Sequence, residues 1–269
     1  MFEGRQKIDM INKVNKYFEN LKEEIFPLSF KNKCTLILSG STGWGINEGF
    51  DNKADWDLHI LLSNEDYEIF TNKFGDNYVL DDHTHKPIVF GQINNIDWLK
   101  ERLESEETNI LYLWIYTKCL YIKDSLCVED VVKEYYNKFV LNKIEIIKKC
   151  YIKFAVRRLD TCSSAKRGME IATGINRGEM VQQALKLLCL LKGQPYPYNK
   201  WLEKNVEIIY KENENVRNIV GLCKECLMEN QLNLIIIKSK KLRDEIEKKL
   251  ISIYGRKRWI IYWWEYNKN

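Results

Sequence analysis

The stretch LSGSTGWGINEGFDNKADWDLHILL (residues 38–62) decides the fold. The apolar run CTLIL (34–38) predicts a short buried strand, and DWDLHILL (55–62) predicts another. Successive side chains of a strand point to opposite faces, so Asp55 and Asp57 share one face, about 7 Å apart. Two carboxylates at that spacing repel each other, and folding alone gains nothing from the repulsion. The pair therefore indicates a site for a positively charged ligand.

A divalent cation between Asp55 and Asp57 removes this repulsion. Mg²⁺ prefers hard oxygen ligands and is commonly held by one or two carboxylates together with substrate phosphates. Gly40 lets the backbone approach a phosphate closely, and the Ser41 hydroxyl can hold phosphate oxygens. Two such ions activate an attacking oxygen and stabilise a leaving oxygen in phosphoryl or nucleotidyl transfer. The residues between, 41–54, contain three glycines and are expected to form a long loop.

Taken singly, a D-x-D pair is typical of a solvated strand face and Gly-Ser of a turn. In this order, the pattern of Gly40 and Ser41 followed by Asp55-Trp56-Asp57-Leu58 resembles the polymerase-beta-like nucleotidyltransferase superfamily. The resemblance implies an enzyme that transfers a nucleoside monophosphate from an NTP, with ATP expected, to an acceptor and releases pyrophosphate. It implies two Mg²⁺ ions held by Asp55 and Asp57 as catalytic residues, and phosphate held by Gly40 and Ser41.

The rest of the chain predicts an α+β fold. An amphipathic helix over 6–25, a helix that Gly75 ends and a helix that Asp97 caps accompany five short strands within residues 1–125. The resemblance implies that this part is a nucleotidyltransferase-type mixed sheet with helices. Strand patterns then vanish, and residues 126–269 predict a helical bundle. The predicted helices of this second part are 128–167, 178–192, 200–212, 215–229 and 232–254.

This layout is similar to that of the kanamycin, streptomycin and lincosamide resistance enzymes, and QALKLLCLLKGQPYPYNKWLEK (183–204) resembles their helical half. The similarity implies a hydroxylated small-molecule acceptor, such as an aminoglycoside or lincosamide antibiotic, and a possible homodimer. It also implies a general base from the helical half, for which Asp160 is the first candidate beside Glu170 and Glu179. The alternative for Asp160 is an ordinary ion pair with Arg157 at i−3.

The triphosphate of a bound NTP needs cationic partners. Arg157 and Lys200 are the candidates, and the alternative for both is a solvated charge. Tyr196, Tyr198 and Trp201 surround Lys200 in the sequence. Their rings are expected either to stack on a base or a sugar or to pack the turn.

One feature departs from the superfamily, which usually has a third acidic residue on a later strand beside the D-x-D pair. That strand should be KPIVFGQINNIDW (86–98), which has no carboxylate before Asp97. Gln92 is the polar residue nearest the expected place, and Asp81, Asp82 and His59 are substitute candidates. Three possibilities stay open: a two-carboxylate enzyme, a substitute ligand, or a site that binds nucleotides without catalysis.

Two other functions stay open as well. One is a nucleotidyltransferase of the toxin-antitoxin type that modifies protein or RNA, and the other is an inactive nucleotide-binding module. The C-terminal GRKRWIIYWWEYNKN (255–269) mixes basic and aromatic residues, which suits single-stranded nucleic acid or a docked helix. A net charge of +4 does not by itself favour nucleic acid.

The bulk composition predicts an ordinary globular protein of the cytoplasm. Of the 269 residues, 45% are apolar and 30% are charged, and the apolar runs are shorter than the roughly 20 residues of a membrane span. The N-terminal MFEGRQKIDMINK has no apolar core typical of a signal peptide. The eight cysteines are scattered, and the Cys223/Cys226 pair is expected to be two thiols on a helix.

Overall fold

The structure is a computed structural model that describes residues 2–48, 54–76, 78–106, 108–211 and 213–266. The chain divides into two compact units, unit 1 (Met1–Phe139) and unit 2 (Val140–Asn269). The boundary predicted from the sequence, at residue 125, falls just before the last helix of unit 1.

Unit 1 is built on a mixed sheet. Its strands are β1 (Thr35–Ser39), β2 (Trp56–Leu62), β3 (Val79–Asp82), β4 (Val89–Asn95) and β5 (Leu120–Asp124). Its helices are α1 (Phe2–Glu19), α2 (Leu28–Lys31), α3 (Gly40–Glu48), α4 (Asn64–Phe74), α5 (Ile96–Glu104), α6 (Asn109–Lys118) and α7 (Val128–Leu141), the last of which runs two residues past the unit boundary.

The strand order is β3-β4-β2-β1-β5, in which β2 and β4 are parallel and every other neighbouring pair is antiparallel. The α4 helix makes the parallel arrangement possible because it belongs to the long connection that carries the chain from β2 to β4. The sheet therefore places β2, the strand of the D-x-D pair, at its centre.

One face of the sheet forms the main core of unit 1. Alternate residues of the central strands point into it, and α1, α2 and α4 cover it with apolar and aromatic side chains. Fully burying a Leu or Phe side chain contributes about 1.5–3 kcal/mol, so this face contributes strongly to the stability of the unit. The buried residues include Val14, Phe18, Phe30, Leu36, Leu38, Trp56, Leu58, Ile60 and Phe70.

Unit 2, in its described residues, consists of helices. They are α8 (Lys143–Lys166), α9 (Glu170–Leu191), α10 (Asn199–Tyr210), α11 (Glu214–Met228), α12 (Leu232–Tyr254) and α13 (Arg258–Ile261), followed by a 3₁₀ turn over Trp263–Tyr266. Together with the mixed sheet of unit 1, they confirm the predicted α+β class. Cys223 and Cys226 are both buried on α11.

Three local expectations are wrong. The predicted helix over 128–167 is two helices, α7 and α8, separated by Asn142. The cap of α5 is Asn95, whose side chain accepts a hydrogen bond from the Trp98 backbone N–H at 2.7 Å, while Asp97 lies in the first turn. The predicted loop over 41–54 begins as helix α3.

Packing explains why a glycine-rich segment forms α3. Glycine costs a helix about 1 kcal/mol relative to alanine, which is why the sequence favours a loop. Gly43 is needed, however, because a Cβ atom there would lie 2.2 Å from the Leu38 carbonyl oxygen. Trp44 is buried against Trp114 with ring centroids 5.0 Å apart. Burial of this large side chain offsets the low helix propensity.

No helix in the described parts of the chain has the length and apolar character needed to cross a membrane.

A buried lysine closes the end of α1. Lys31 is 3% exposed, and its ammonium donates to the backbone carbonyls of Glu19 at 2.9 Å and Leu21 at 2.5 Å. Carbonyls at the end of a helix have no partner within the helix, and a cation there is favoured by the helix dipole. Lys31 therefore fixes the turn that carries the chain from α1 into the sheet.

We expect Lys31→Met to lower the free energy of unfolding by about 2 kcal/mol, since a charged donor to two buried carbonyls is lost. Lys33→Met is the matched control, because Lys33 is exposed and its ion pair with Asp66 is long, at 3.5 Å. Its cost should stay within about 0.5 kcal/mol. Urea denaturation measures both variants, and equal costs would contradict the capping role.

Candidate active site

Asp57 lies at the centre of the candidate site, on β2. Its neighbour across the antiparallel pairing is Ser39 on β1, and its neighbour across the parallel pairing is Phe90 on β4. The Ser39 hydroxyl donates to the Asp57 backbone carbonyl at 3.1 Å. The last residue of β1 and the second residue of β2 are therefore held side by side.

Gly40 follows directly and begins α3. Its φ is +65°, a left-handed conformation that glycine adopts without cost. A Cβ atom on Gly40 would lie only 1.9 Å from Oδ2 of Asp57. The carboxylate therefore lies against the backbone at the start of α3, where the helix N-terminus favours negative charge. Gly40 is required both by its backbone conformation and by the close approach of Asp57.

Asp55 and Ser41 complete the cluster predicted from the sequence. Asp55 is exposed and comes directly before β2, and Ser41 is partly exposed in the first turn of α3. Thr42 ties the two elements together, because its hydroxyl contacts the carbonyl oxygens of Ala54 and Asp55, each at 3.0 Å. The β1–α3–β2 segment thus brings the Gly-Ser pair and the D-x-D pair to one end of the sheet.

The register of β4 shows what occupies the place of a third acid. Phe90, 39% exposed, lies beside Asp57, and Gln92 lies beside His59. Within the described ranges, no three His, Cys, Asp or Glu side chains are grouped so that they could hold a metal ion. The pair Asp55 and Asp57 thus has no third protein ligand of these types among the described residues.

Asp81 and Asp82 lie on β3 and point to opposite faces. Asp81 is opposite Phe90, so two strand spacings, or roughly 10 Å, separate its backbone from that of Asp57. Its carboxylate pairs with His83 Nε2 at 2.9 Å. Asp82 accepts hydrogen bonds from the Tyr17 hydroxyl at 3.0 Å and from the Thr84 backbone N–H at 2.9 Å. Both carboxylates already have partners around the β3–β4 turn.

His59 is two residues beyond Asp57 on the same face of β2. Its Nδ1 lies 2.9 Å from the hydroxyl of Tyr116, a residue of α6 that is 1% exposed. Burial lowers the pKa of His59 to about 4. The imidazole is therefore neutral at physiological pH, and its hydrogen bond with the Tyr116 hydroxyl holds it in place.

The predicted residues of unit 2 form a cluster of their own. Arg157 donates to the carboxylate of Asp160 at 3.2 Å and to that of Glu179 at 2.5 Å, and all three side chains are about half exposed. The i, i+3 ion pair weighed as the alternative for Asp160 is present. Glu170 is the exposed first residue of α9. The roles of Arg157 as a phosphate ligand and Asp160 as a base stay predictions.

Lys200 lies in the first turn of α10, and its ammonium is 5.5 Å from the ring centroids of both Tyr198 and Trp201. The indole Nε1 of Trp201 donates to the Tyr198 hydroxyl at 2.8 Å. Tyr196 is covered by the ammonium of Lys186 at 4.8 Å. The rings contact one another and neighbouring lysines within the turn, in agreement with the expectation that they pack it. The role of Lys200 toward phosphate stays a prediction.

Three residues of the site were not found from the sequence: Thr42, Phe90 and Tyr116. Thr42 follows the Gly-Ser pair directly, and this adjacency is the available signal. Phe90 becomes recognisable only once the parallel register of β2 and β4 is known. Tyr116 belongs to an aromatic helix whose contact with His59 joins residues 57 positions apart.

No family model and no curated protein matches this sequence. Among solved structures, a nucleotidyltransferase-like protein from Exiguobacterium sibiricum is similar to the chain. The two share 13% sequence identity, with 87% of this chain and 74% of that chain covered and a TM-score of 0.43. A likeness of this size assigns no role to any residue.

We expect Gly40→Ala to destabilise the protein by several kcal/mol, because the new methyl group meets the Asp57 carboxylate and a left-handed conformation costs a further 1–2 kcal/mol or so. In an Asp57→Ala background the same change should cost clearly less, because only the Cβ atom of residue 57, 3.0 Å from the new methyl group, remains beside the conformational part. Urea denaturation of the four proteins of this double-mutant cycle gives the coupling energy. Gly174→Ala, at a helical position with open space, is the control and should not destabilise. A coupling energy near zero would contradict the contact.

The pH dependence of the free energy of unfolding should reveal the lowered pKa of His59 in the folded state. The unfolded state binds a proton near pH 6.5 and the folded state only near pH 4, so the free energy of unfolding falls as the pH decreases through this window. At the lower end of this pH window, His59 accounts for a decrease of about 3 kcal/mol in the free energy of unfolding. His59→Asn should remove that part of the pH dependence, whereas His83→Asn, on an exposed histidine, should not. Identical profiles for the wild type and His59→Asn would exclude the assignment.

Proposed function

We propose that the protein is a Mg²⁺-dependent nucleotidyltransferase, which transfers a nucleoside monophosphate from an NTP to a hydroxyl group and releases pyrophosphate. The observation that carries the proposal is the close approach of the Asp57 carboxylate to the backbone of Gly40 at the start of α3. This approach places a carboxylate, a serine hydroxyl and a helix N-terminus at one end of the sheet, with the exposed Asp55 beside them. Such a combination is suited to a phosphate together with its metal ion.

The donor set fits Mg²⁺. Asp55 and Asp57 supply hard carboxylate oxygens, and neither is fully buried. Mg²⁺ is usually bound by one or two carboxylates plus substrate phosphates rather than by a cage made only of protein ligands. Two carboxylates without a third protein ligand among the described residues agree with this usual coordination of Mg²⁺. When bound, the ion supplies neutralisation of the phosphate charge and polarisation of the reacting phosphorus.

Residues of the chain would bind the phosphate and accept the proton of the acceptor hydroxyl. The Ser41 hydroxyl and the first N–H groups of α3 hold phosphate oxygens. Gly40 has no side chain, which lets the Asp57 carboxylate lie against the backbone at the start of α3. The acceptor oxygen forms a bond to the α-phosphorus while the bond from that phosphorus to the β-phosphate oxygen breaks, and pyrophosphate leaves. The acceptor hydroxyl proton passes to a general base, for which Asp160 is our candidate.

For the acceptor we propose a small hydroxylated molecule of the aminoglycoside or lincosamide type, with ATP as the donor. The support is the layout, in which a unit with a mixed sheet precedes a helical unit. Kanamycin, streptomycin and lincomycin are the first acceptors to assay, with release of pyrophosphate as the measurement. Labelling of the protein itself or of added RNA by α-³²P-NTP would instead favour the macromolecular acceptor.

The first test is isothermal titration of the protein with ATP, GTP, CTP and UTP, with and without Mg²⁺. We expect binding that requires Mg²⁺ and is lost in Asp55→Asn and Asp57→Asn, because these carboxylates hold the ion. Asp130→Asn, on the exposed surface of α7, is the matched control and should bind normally. Nucleotide binding that is the same with and without Mg²⁺ and in both variants would contradict the proposal.

Catalysis is tested separately from binding. Once an acceptor is found, Asp57→Asn should lower kcat/KM by about 100-fold or more, the scale on which loss of one transition-state contact acts. An unchanged urea midpoint would show that the fold is intact. Full activity of this variant contradicts the assignment, and Mg²⁺-dependent binding without any turnover would favour a nucleotide-binding module.

A further inference from the structure

Unit 1 contains a second concave site that the proposed chemistry does not use. It is a cavity of about 1040 Å³ between α1 and the segment from Tyr78 to Pro87. Trp56 lines it, and the Trp56 side chain belongs to the core face of the sheet, opposite the face of Asp57. The cavity is therefore distinct from the candidate active site, although one strand contributes to both.

The floor of this cavity is aromatic. Tyr17 and His85 have ring centroids 4.6 Å apart, Trp56 and His85 4.9 Å, and Tyr17 and Trp56 6.0 Å. Hydrogen bonds fix two of the rings, because the Tyr17 hydroxyl donates to Asp82 and the His85 Nδ1 lies 2.7 Å from the Pro87 carbonyl. Trp56 is buried beneath the other two rings, whereas Tyr17 and His85 are partly exposed. Tyr17 and His85 therefore offer the ring surface on which a planar ligand can stack, and their fixed positions leave little ordering to be done on binding.

The rim of the cavity is cationic. Four lysines, Lys13, Lys16, Lys22 and Lys86, and two aspartates line it, so the lysines exceed the aspartates by two charges. Lys13 and Lys22 pair with acids only at exposed positions, where ion pairs are weak. In the described part of the chain, Lys16 and Lys86 have no acidic partner. The rim is therefore suited to an anion.

We propose that this cavity, with the floor Tyr17, Trp56 and His85 and the rim lysines Lys16 and Lys86, binds a nucleoside monophosphate unit, either free or as the phosphorylated end of an RNA strand. A base has the planar face that stacks on aromatic rings, and a phosphate has the charge that lysines bind. The aromatic floor and the cationic rim belong to the same cavity, so a single ligand that carries both a base and a phosphate can contact both. The lysines take the place of a metal ion, so this binding needs no Mg²⁺.

The test is titration of the full-length protein with AMP and with a 5′-phosphorylated tetranucleotide RNA, in EDTA. The chelator removes Mg²⁺ from the proposed catalytic site, so failure of one site does not imply failure of the other. We expect saturable binding that weakens with added salt. The double variant Lys16→Ala/Lys86→Ala should weaken it at least about tenfold, and His85→Ala should weaken it as well.

The controls separate the two sites. Lys7→Ala, on the same helix but outside the cavity, should leave the affinity unchanged. Asp57→Asn should also leave it unchanged, because its side chain lies on the other face. RNA binding at least tenfold tighter than AMP binding identifies an RNA end, and similar affinities identify a free nucleotide. Absence of saturable binding by both probes, or binding that the double lysine variant retains, would overturn the proposal.

Discussion

The contact between the Asp57 carboxylate and the backbone of Gly40 is the constraint on which the arrangement of unit 1 depends. It requires β1 to end at Ser39, because the chain must turn there into α3 without a side chain in the way. It also fixes the register of β1 against β2, since a shift by one residue would turn Asp57 to the core face. Thr42 then anchors α3 to the entrance of β2. Strand, helix and strand thus form one rigid frame, and rigid elements position functional groups better than loops do.

The alternation of β2 gives its two faces different tasks. Trp56, Leu58 and Ile60 pack against the helices of the core, and the large apolar area that they bury stabilises the strand. Asp57 and His59 on the other face do not contribute in this way, since one is a carboxylate and the other is a half-buried imidazole whose pKa is lowered. The burial on the first face therefore offsets the cost of the polar groups on the second. The same alternation makes Trp56 part of a cavity that the carboxylates do not face.

The sequence predicts what depends on local periodicity and fails where a distant contact decides. Both central strands, the stop of α4 at Gly75 and the helical nature of unit 2 follow from patterns within a few residues. Helix α3 was missed because its glycines have a poor helix propensity, which burial of Trp44 overcomes. The neighbour of Asp57 on β4 cannot be predicted for a similar reason: parallel pairing across a long connection decides that Phe90 lies there while Gln92 lies beside His59, and no local pattern encodes that register.

Phe90 beside Asp57 also bears on how the proposed site would work. An aromatic ring at that place supplies no ligand, so the metal affinity of the chain by itself rests on two carboxylates, one of them exposed. Hard cations such as Mg²⁺ give up water reluctantly and are held well only when further oxygens replace it. A nucleotide triphosphate brings those oxygens. Metal and nucleotide would therefore bind as one unit, each raising the affinity for the other, and this reciprocity is required by linkage. The proposed site would therefore be complete only with a nucleotide present, and two protein carboxylates would suffice to hold the ion.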